Sequence, residues 1–426
     1  MKKFKVITLG CRTNQYESQA YINQLLKEGF EEVIGDDEAD ICIVNTCTVT
    51  ESADKRSLYQ IRKAIRDHKP DKLIVTGCLV ESAGKKISEI SGVNHVVSNP
   101  KKEQLLPIVY PEKHWAEFKI ETFEAHTRAF VKIQDGCNSY CSYCVIPFVR
   151  GRSRSKSTSD IIKEVEGLVQ NGYKEIVLTG INIGDFDGNQ TPPVRLAELI
   201  KRVDEVPGVE RIRVSSIDPD EIDEPLIDAI VNGKKTAPSM HIVLQSGSNL
   251  TLKRMRRKYT SQDFLDAISR LKKACPKFTF TTDIIVGFPG ETEIEFQDTL
   301  DIMNEIYFAK VHMFPYSDRP KTRASRMPNK VSDELILKRK QKLLRLAEKN
   351  AFKLRNQFVG STFDVLIESE IEPGVYMGLS ENFLPVYINN NKLRTNTVVT
   401  TKCVKNSSKG FIGEYQNKRS ASTVFA

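Results

Sequence analysis

The sequence lacks any apolar run near the roughly 18 consecutive residues a membrane-crossing helix needs, so no transmembrane segment is expected. No secretion signal is expected either. The opening MKKFKVITLGCRTNQ has a basic flank, but its apolar run is only Val6 to Leu9 and then meets Arg12 and Asn14. Cysteine is sparse: nine in 426 residues, an odd count, which excludes a disulfide scaffold. Glycine (23) and proline (18) are ordinary, which excludes collagen-like and low-complexity chains. Charge of one sign is not dominant either. Lys and Arg total 63 against 55 Asp and Glu, a net +8 that implies solubility more than any partner. What is there is a globular composition, 40% apolar and 28% charged, in a chain long enough for two or three domains. A reducing cytoplasm is the expected location, and clustered cysteines there read as metal ligands or redox groups.

The first hundred residues repeat one theme. FKVITLG runs into Cys11, ICIVNT into Cys47 and KLIVTG into Cys78. Each is a short β-branched run of the kind that makes a buried strand. Helical patterns between them, Glu17 to Lys27 and Ser52 to Asp67, argue for a parallel sheet. Ligand sites in such sheets gather beyond the carboxyl ends of the strands, where all three cysteines fall. Three soft thiolates suit an iron–sulfur cluster, with zinc the weaker alternative. Cys42 lies inside its strand and reads as a buried small thiol.

Residues 137–144 read CNSYCSYC, three cysteines that one loop can bring to one centre. The next cysteine is Cys275, so the loop supplies three ligands where structural zinc wants four. A 4Fe–4S cluster held by three cysteines leaves one iron open. The spacing resembles the radical S-adenosylmethionine superfamily, in which that iron binds S-adenosylmethionine. Six strand-like segments follow, at 129–134, 175–180, 211–216, 241–246, 279–287 and 310–316, with amphipathic stretches between them. Six β/α units in a row make a partial parallel barrel, whose chemistry sits on the loops after the strands.

The segment 331–357 is a helix candidate capped by Ser332, with Leu335, Leu343, Leu346 and Leu354 on one face. Residues 358–426 change to short strands and turns, a small all-β barrel with a basic half that includes Lys402, Lys405 and Lys409. Cys403 there reads as structural. Three further basic clusters stand out: Arg150, Arg152, Arg154 and Lys156; KRMRRK at 253–258; and Arg319, Lys321, Arg323 and Arg326. Each is either a solvated surface or a contact for a polyanion.

Together these segments resemble the methylthiotransferases over essentially the whole chain. The motifs are LGCRTNQYES, VNTCTVTESADKRS, VTGCLVE, QDGCNSYCSYCVIPFVRG, LTGINIGDF, LQSGSNLTLKRMRRKY and TDIIVGFPGET. LGCRTNQYES and GINIGDF look most like the branch acting on threonylcarbamoyladenosine in tRNA; other branches act on isopentenyladenosine or on a ribosomal-protein aspartate. Val243 and Lys321 depart from the pattern, standing where a proline and a glycine are usual. The resemblance implies an α/β fold with an N-terminal methylthiotransferase domain (1–114), a partial (βα)6 radical S-adenosylmethionine core (123–353) and a C-terminal TRAM RNA-binding barrel (356–426). It implies that Cys137, Cys141 and Cys144 hold the 4Fe–4S cluster that cleaves S-adenosylmethionine, and that Cys11, Cys47 and Cys78 hold an auxiliary 4Fe–4S cluster for sulfur insertion. Gly180, Asn182, Gln245 and Ser246 are the expected S-adenosylmethionine contacts. Arg319, Lys321 and Arg323 are candidates for the substrate's carboxylate, and Lys402, Lys405 and Lys409 for tRNA. The implied partners are tRNA and an electron donor of the flavodoxin or ferredoxin type. A non-enzymatic iron–sulfur RNA-binding sensor is the competing class, and the six-strand barrel argues against it.

Overall fold

Buried β-branched runs with helices between them form parallel sheets. A computed structural model of the protein describes residues 2–123 and 127–416 and shows two such sheets, one covered on both faces and one curled with helices on its outer face. Residues 417–426, which end the expected third domain and carry Lys418 and Arg419, lie outside the described residues.

In the first sheet Lys3–Thr8, Ile41–Thr46 and Lys72–Gly77 lie side by side, all parallel, with Glu31–Glu32 and His95–Val96 at the edges. The middle strand is buried at every position because helices cover both faces. Helix Arg12–Lys27 follows the first strand and Glu51–His68 the second. The latter is capped by the Thr50 side chain, which accepts from the Ala53 N–H at 3.1 Å.

The second sheet is a curled half-barrel of six parallel strands in sequential order: Arg128–Lys132, Glu175–Thr179, Arg211–Ile217, Thr236–Ile242, Thr279–Val286 and Lys310–Pro315. Five match the sequence reading closely. The fourth does not: it starts at Thr236 and ends at Ile242 rather than running over 241–246. Pro238 hides it, because proline cannot donate a ladder hydrogen bond. The strand accommodates it with register shifts against its neighbour between Ile212 and Ser216. Residues 243–246 then form the turn beyond the strand, with Gln245 in the left-handed region at φ +63°.

The gap between the first and sixth strands is bridged by the N-terminal unit. On one side helix Arg12–Lys27 lies along the first core strand, its Tyr16 hydroxyl donating to Glu164 at 2.8 Å. On the other side the loop after the sixth strand grips helix Glu51–His68 through Arg319 and Asp54 at 2.6 Å and through the Ser317 hydroxyl, which accepts from the Glu51 N–H.

Helix Asp333–Asn356 covers the outside of the core, burying Leu343 there and Leu354 in the C-terminal barrel. Its basic residues include Arg339, which is buried and paired with Glu291 at 2.7 Å. Five strands close the barrel: Thr362–Glu372, Val375–Ser380, Pro385–Asn389, Val398–Asn406 and Phe411–Tyr415. Cys403 is in its core. The barrel docks on the amino ends of the core strands. Arg211 and Arg213 donate to the carbonyls of Asp364 and Ser380, each at 2.8 Å, and share the buried Glu175. Among the described residues no helix is long and apolar enough to cross a membrane.

Candidate active site

The first cysteine set is held by the residues around it in sequence. Asn14 donates to the carbonyls of Leu9 (2.6 Å) and Thr46 (3.0 Å), and Asn45 donates to the Asn14 carbonyl (3.1 Å). The ends of the first two strands, each carrying a cysteine, are thereby tied together. Gly10, at φ +95°, has no room for a side chain: a Cβ would stand 2.8 Å from the Cys47 Cβ. Cys47 is fixed through its backbone by the Ser57 hydroxyl, which accepts from its N–H and donates to its carbonyl. Cys78 opens helix Cys78–Ser88, and Asn99 donates toward its sulfur at 3.7 Å. None of the three is in a disulfide. Burial pushes the Cys47 thiol up to about 11, and Cys78 and Cys11 add to that rise, so the three thiols sense one another electrostatically.

The second set sits on the loop after the first core strand. At Gly136, φ +73°, a Cβ would collide with the Arg152 carbonyl. The Cys137 N–H donates to Gly151 at 3.1 Å and the Cys144 N–H to Cys141 at 3.0 Å. Between the cysteines, Ser142 is pinned on three sides. Its N–H donates to Met255, its hydroxyl donates to Arg254 and its carbonyl accepts from Ala324. The loop is thus tied to the segments following the fourth and sixth strands. Arg257 donates to the Cys141 sulfur at 3.0 Å, pairs with Asp218 and lies over the Tyr259 ring. Burial pushes the Cys144 thiol up to about 12. Such thiols are protonated at neutral pH until a metal centre displaces the proton. Among the described residues no group of three or more His, Cys, Asp or Glu side chains is arranged around a single metal ion. The donor chemistry, two sets of three soft thiols, fits iron–sulfur centres with one iron left open.

The four residues expected to contact S-adenosylmethionine all fall beyond strand ends. Gly180 follows the second strand, and the Asn182 N–H after it donates to Gln134 at 2.9 Å. The Asn182 side chain donates to Glu221 at 3.0 Å, and burial raises that carboxyl to about 7. Gln245 links the fourth strand to the fifth: its N–H donates to Asp283 and its carbonyl accepts from Ile285. Ser246 is fully buried against Thr299 and accepts from the Ser248 N–H, so it shapes the turn and presents no free hydroxyl.

The basic clusters divide once folded. Arg319 is buried, donating to Thr48 and Asp54 of the N-terminal unit, which makes it an interdomain clasp. Lys321 and Arg323 are exposed. Lys321 has φ +71°, which accounts for the glycine usual there. From KRMRRK, Arg254 pairs with Glu295 and Arg257 with Asp218. Arg150 is wholly buried between the units, bonded to Glu17 (3.0 Å), Asp135 (2.8 Å) and Asn14. Arg150, Arg257 and Arg319 are inside the protein because carboxylates distant in sequence meet them there, so they do not form a polyanion surface; Arg254 is paired but half-buried. Lys402, Lys405 and Lys409 are exposed on the barrel.

Residues 131–303 match the Radical SAM superfamily, and residues 3–98 match Uncharacterized protein family UPF0004. The threonylcarbamoyladenosine tRNA methylthiotransferase MtaB of Chlamydia pneumoniae is 44% identical over 96% of this chain and 97% of its own length. The chain belongs to the methylthiotransferase family. The Bacillus subtilis protein of the same name is 38% identical, covering 93% of each chain. A tRNA-2-methylthio-N(6)-dimethylallyladenosine synthase of Caldicellulosiruptor saccharolyticus is 34% identical over 94% of this chain and 87% of its own. The radical S-adenosylmethionine methyltransferase TsrM of Kitasatospora setae shares the fold, with TM-score 0.55 at 13% identity over 88% of this chain and 81% of that one. Membership makes this methylthiotransferase an enzyme of radical S-adenosylmethionine chemistry, which implies a 4Fe–4S cluster and S-adenosylmethionine as cofactors. Its site also uses residues that sequence reasoning passed over, Asn14, Glu17, Asn99, Asp135 and Asp218, and two that it read only as members of basic clusters, Arg150 and Arg257. Asn14 and Glu17 lie inside LGCRTNQYES, so the motif itself was their signal. Asn99 and Asp218 had none.

Proposed function

We propose that this methylthiotransferase acts on tRNA, placing a methylthio group at carbon 2 of N6-threonylcarbamoyladenosine next to the anticodon. The observation that carries the reading is the placement of two separate cysteine triads. One lies on the half-barrel's carboxyl face, and the other belongs to the unit that bridges the half-barrel's gap. Cys137, Cys141 and Cys144 would hold the cluster that binds S-adenosylmethionine; Cys11, Cys47 and Cys78 would hold a second 4Fe–4S cluster that presents sulfur. Together with S-adenosylmethionine these groups supply hydrogen abstraction from an unactivated aromatic C–H bond, which no side-chain acid or base achieves near neutral pH. The chain's own part is positional. Gly10 and Gly136 bring backbone close to the thiols, Ser142 locks the loop, and the buried contacts of Arg150 and Arg319 hold the units in one relation and exclude water. An electron donor of the flavodoxin or ferredoxin type would complete the turnover.

The substrate reading rests on the relatives named for threonylcarbamoyladenosine, 44% and 38% identical, against 34% for the dimethylallyladenosine synthase. Reconstituted enzyme is expected to methylthiolate tRNA bearing threonylcarbamoyladenosine and to leave the same tRNA bearing isopentenyladenosine unchanged. Mass spectrometry of the digested nucleosides decides it. Product from the isopentenyl substrate alone would overturn the branch assignment and leave the chemistry standing.

The C-terminal barrel supplies an exposed basic surface for the RNA. Replacing Lys402, Lys405 and Lys409 by alanine is expected to weaken tRNA binding and to flatten its salt dependence by about 0.7–0.9 per lost phosphate contact on a log–log plot. Filter binding across a salt series reads both quantities, and an unchanged slope would show that tRNA docks elsewhere.

A further inference from the structure

Arg12 directly follows Cys11 and opens helix Arg12–Lys27, the helix that lies along the first core strand. Its guanidinium stands 5.7 Å from the centre of the Phe130 ring. It lines a cleft in the half-barrel together with Arg128, Arg213, His241, Thr281 and Phe383. Phe130, Val177 and Arg213 are in register on neighbouring strands, so Arg12 reaches the concave wall of the half-barrel from the N-terminal unit.

The other arginines in this cleft are paired. Arg128 pairs with Glu368 at 2.7 Å and Arg213 with Glu175 at 2.6 Å, and the His241 ring lies 3.3 Å from Asp283. Glu175 also takes Arg211 at 3.1 Å. Arg12 makes no side-chain hydrogen bond and no ion pair among the described residues. The wall therefore holds four guanidiniums against three carboxylates, and the one with no direct partner is next in sequence to a proposed ligand of the sulfur-presenting cluster. Glu175 and Asp283 attract Arg12 only from a distance, and burial together with Arg128 outweighs them; a partly buried guanidinium with no bonded carboxylate is costly. Its planar fork suits a carboxylate held by two parallel hydrogen bonds.

We infer that Arg12 is the side chain that binds the carboxylate of the substrate's threonylcarbamoyl group, a specificity-determining contact that rests on the substrate reading above. In that nucleoside the ureido N–H hydrogen-bonds to N1 of the adenine, which lays the threonyl group along the base edge that carries carbon 2. The carbon that receives sulfur and the carboxylate then approach the same part of the protein, as Cys11 and its neighbour require. Of the three cations expected for this role, Arg319 is already spent on Asp54 and Thr48, and Lys321 and Arg323 are exposed on the loop after the sixth strand.

The test uses full-length reconstituted enzyme and anticodon stem-loops with three bases at the target position: threonylcarbamoyladenosine, its methyl ester, and plain adenosine. Fluorescence anisotropy gives each Kd. The wild type is expected to prefer the acid over the ester by about tenfold to a hundredfold. Arg12→Gln should erase that preference, with affinity for the plain loop and iron content unchanged. Arg12→Lys should keep part of it. Arg12→Met, uncharged, unbranched and as long as glutamine, gives the same readout should the glutamine variant load less iron. An Arg12→Gln enzyme that keeps the preference overturns the inference, as does an equal loss on all three RNAs, which would mark a phosphate contact. Failure of the wild type to turn over threonylcarbamoyladenosine tRNA would instead refute the substrate reading on which it rests.

Discussion

Cys141→Ala is expected to abolish the release of deoxyadenosine from S-adenosylmethionine under reducing conditions, whereas Cys47→Ala keeps that release and loses only the methylthio product. The asymmetry follows from where the thiols sit. Cys141 is in the loop after the first core strand, contacted by Arg257 at 3.0 Å. Cys47 is in the N-terminal unit, braced by Ser57 and packed under Gly10. Each set has three ligands, so loss of one leaves two, too few to retain a cubane. Intact protein should load about eight irons after anaerobic reconstitution, and Cys47→Ala about four. Chromatographic assay of deoxyadenosine and colorimetric iron determination give both readouts. Normal release from Cys141→Ala, or about four irons in the intact protein, would refute the two-cluster assignment.

Glu17→Gln is expected to be among the most destabilising conservative changes in the chain. Glu17 and Asp135 are buried among Lys102, Lys132, Arg150 and Arg154, with Lys102 held at 2.6 Å from both carboxylates. Removing one partner from such a buried set costs about 3–5 kcal/mol, because the remaining charges keep their desolvation penalty. Burial alone would push the Glu17 carboxyl up, but Arg150, Lys102 and Lys132 outweigh it and bring it down to about 2. A carboxyl lowered on folding stabilises the folded state above its ordinary value of 4.5, and that stabilisation fades as pH falls from there toward about 2. Chemical denaturation across that range should show an acid-labile component in the wild type that shrinks in Glu17→Gln. Glu51→Gln, in an exposed pair with Lys55, should leave stability unchanged. Equal behaviour of the two variants would show that the buried network does not hold the units together.

The parts of the fold that could be read from sequence are those governed by local periodicity. Three strands that run into cysteines, five of the six core strands and the five barrel strands are short β-branched runs, and their pattern survives any tertiary context. The fourth core strand escaped because Pro238 breaks the pattern and a bulge absorbs it. The two sets of cysteines proposed as ligands stand out in the sequence for a similar reason: spacing within one loop, or repetition at three strand ends, is a property of the chain itself.

The arginines were a different matter. Arg150, Arg254, Arg257 and Arg319 stand in runs of positive charge, and in sequence such runs read as surface. Each is paired in the structure with a carboxylate distant in the chain: Glu17, Glu295, Asp218 and Asp54 respectively. No periodicity encodes such pairings, because they depend on how separate units pack. The sequence by itself determined most of the strands, the helices between them and the positions at strand ends and in one loop of the six candidate thiols. Only the tertiary structure decided which cations are buried struts and which face the cleft, because a charge takes its role from the partners that folding brings within hydrogen-bond reach.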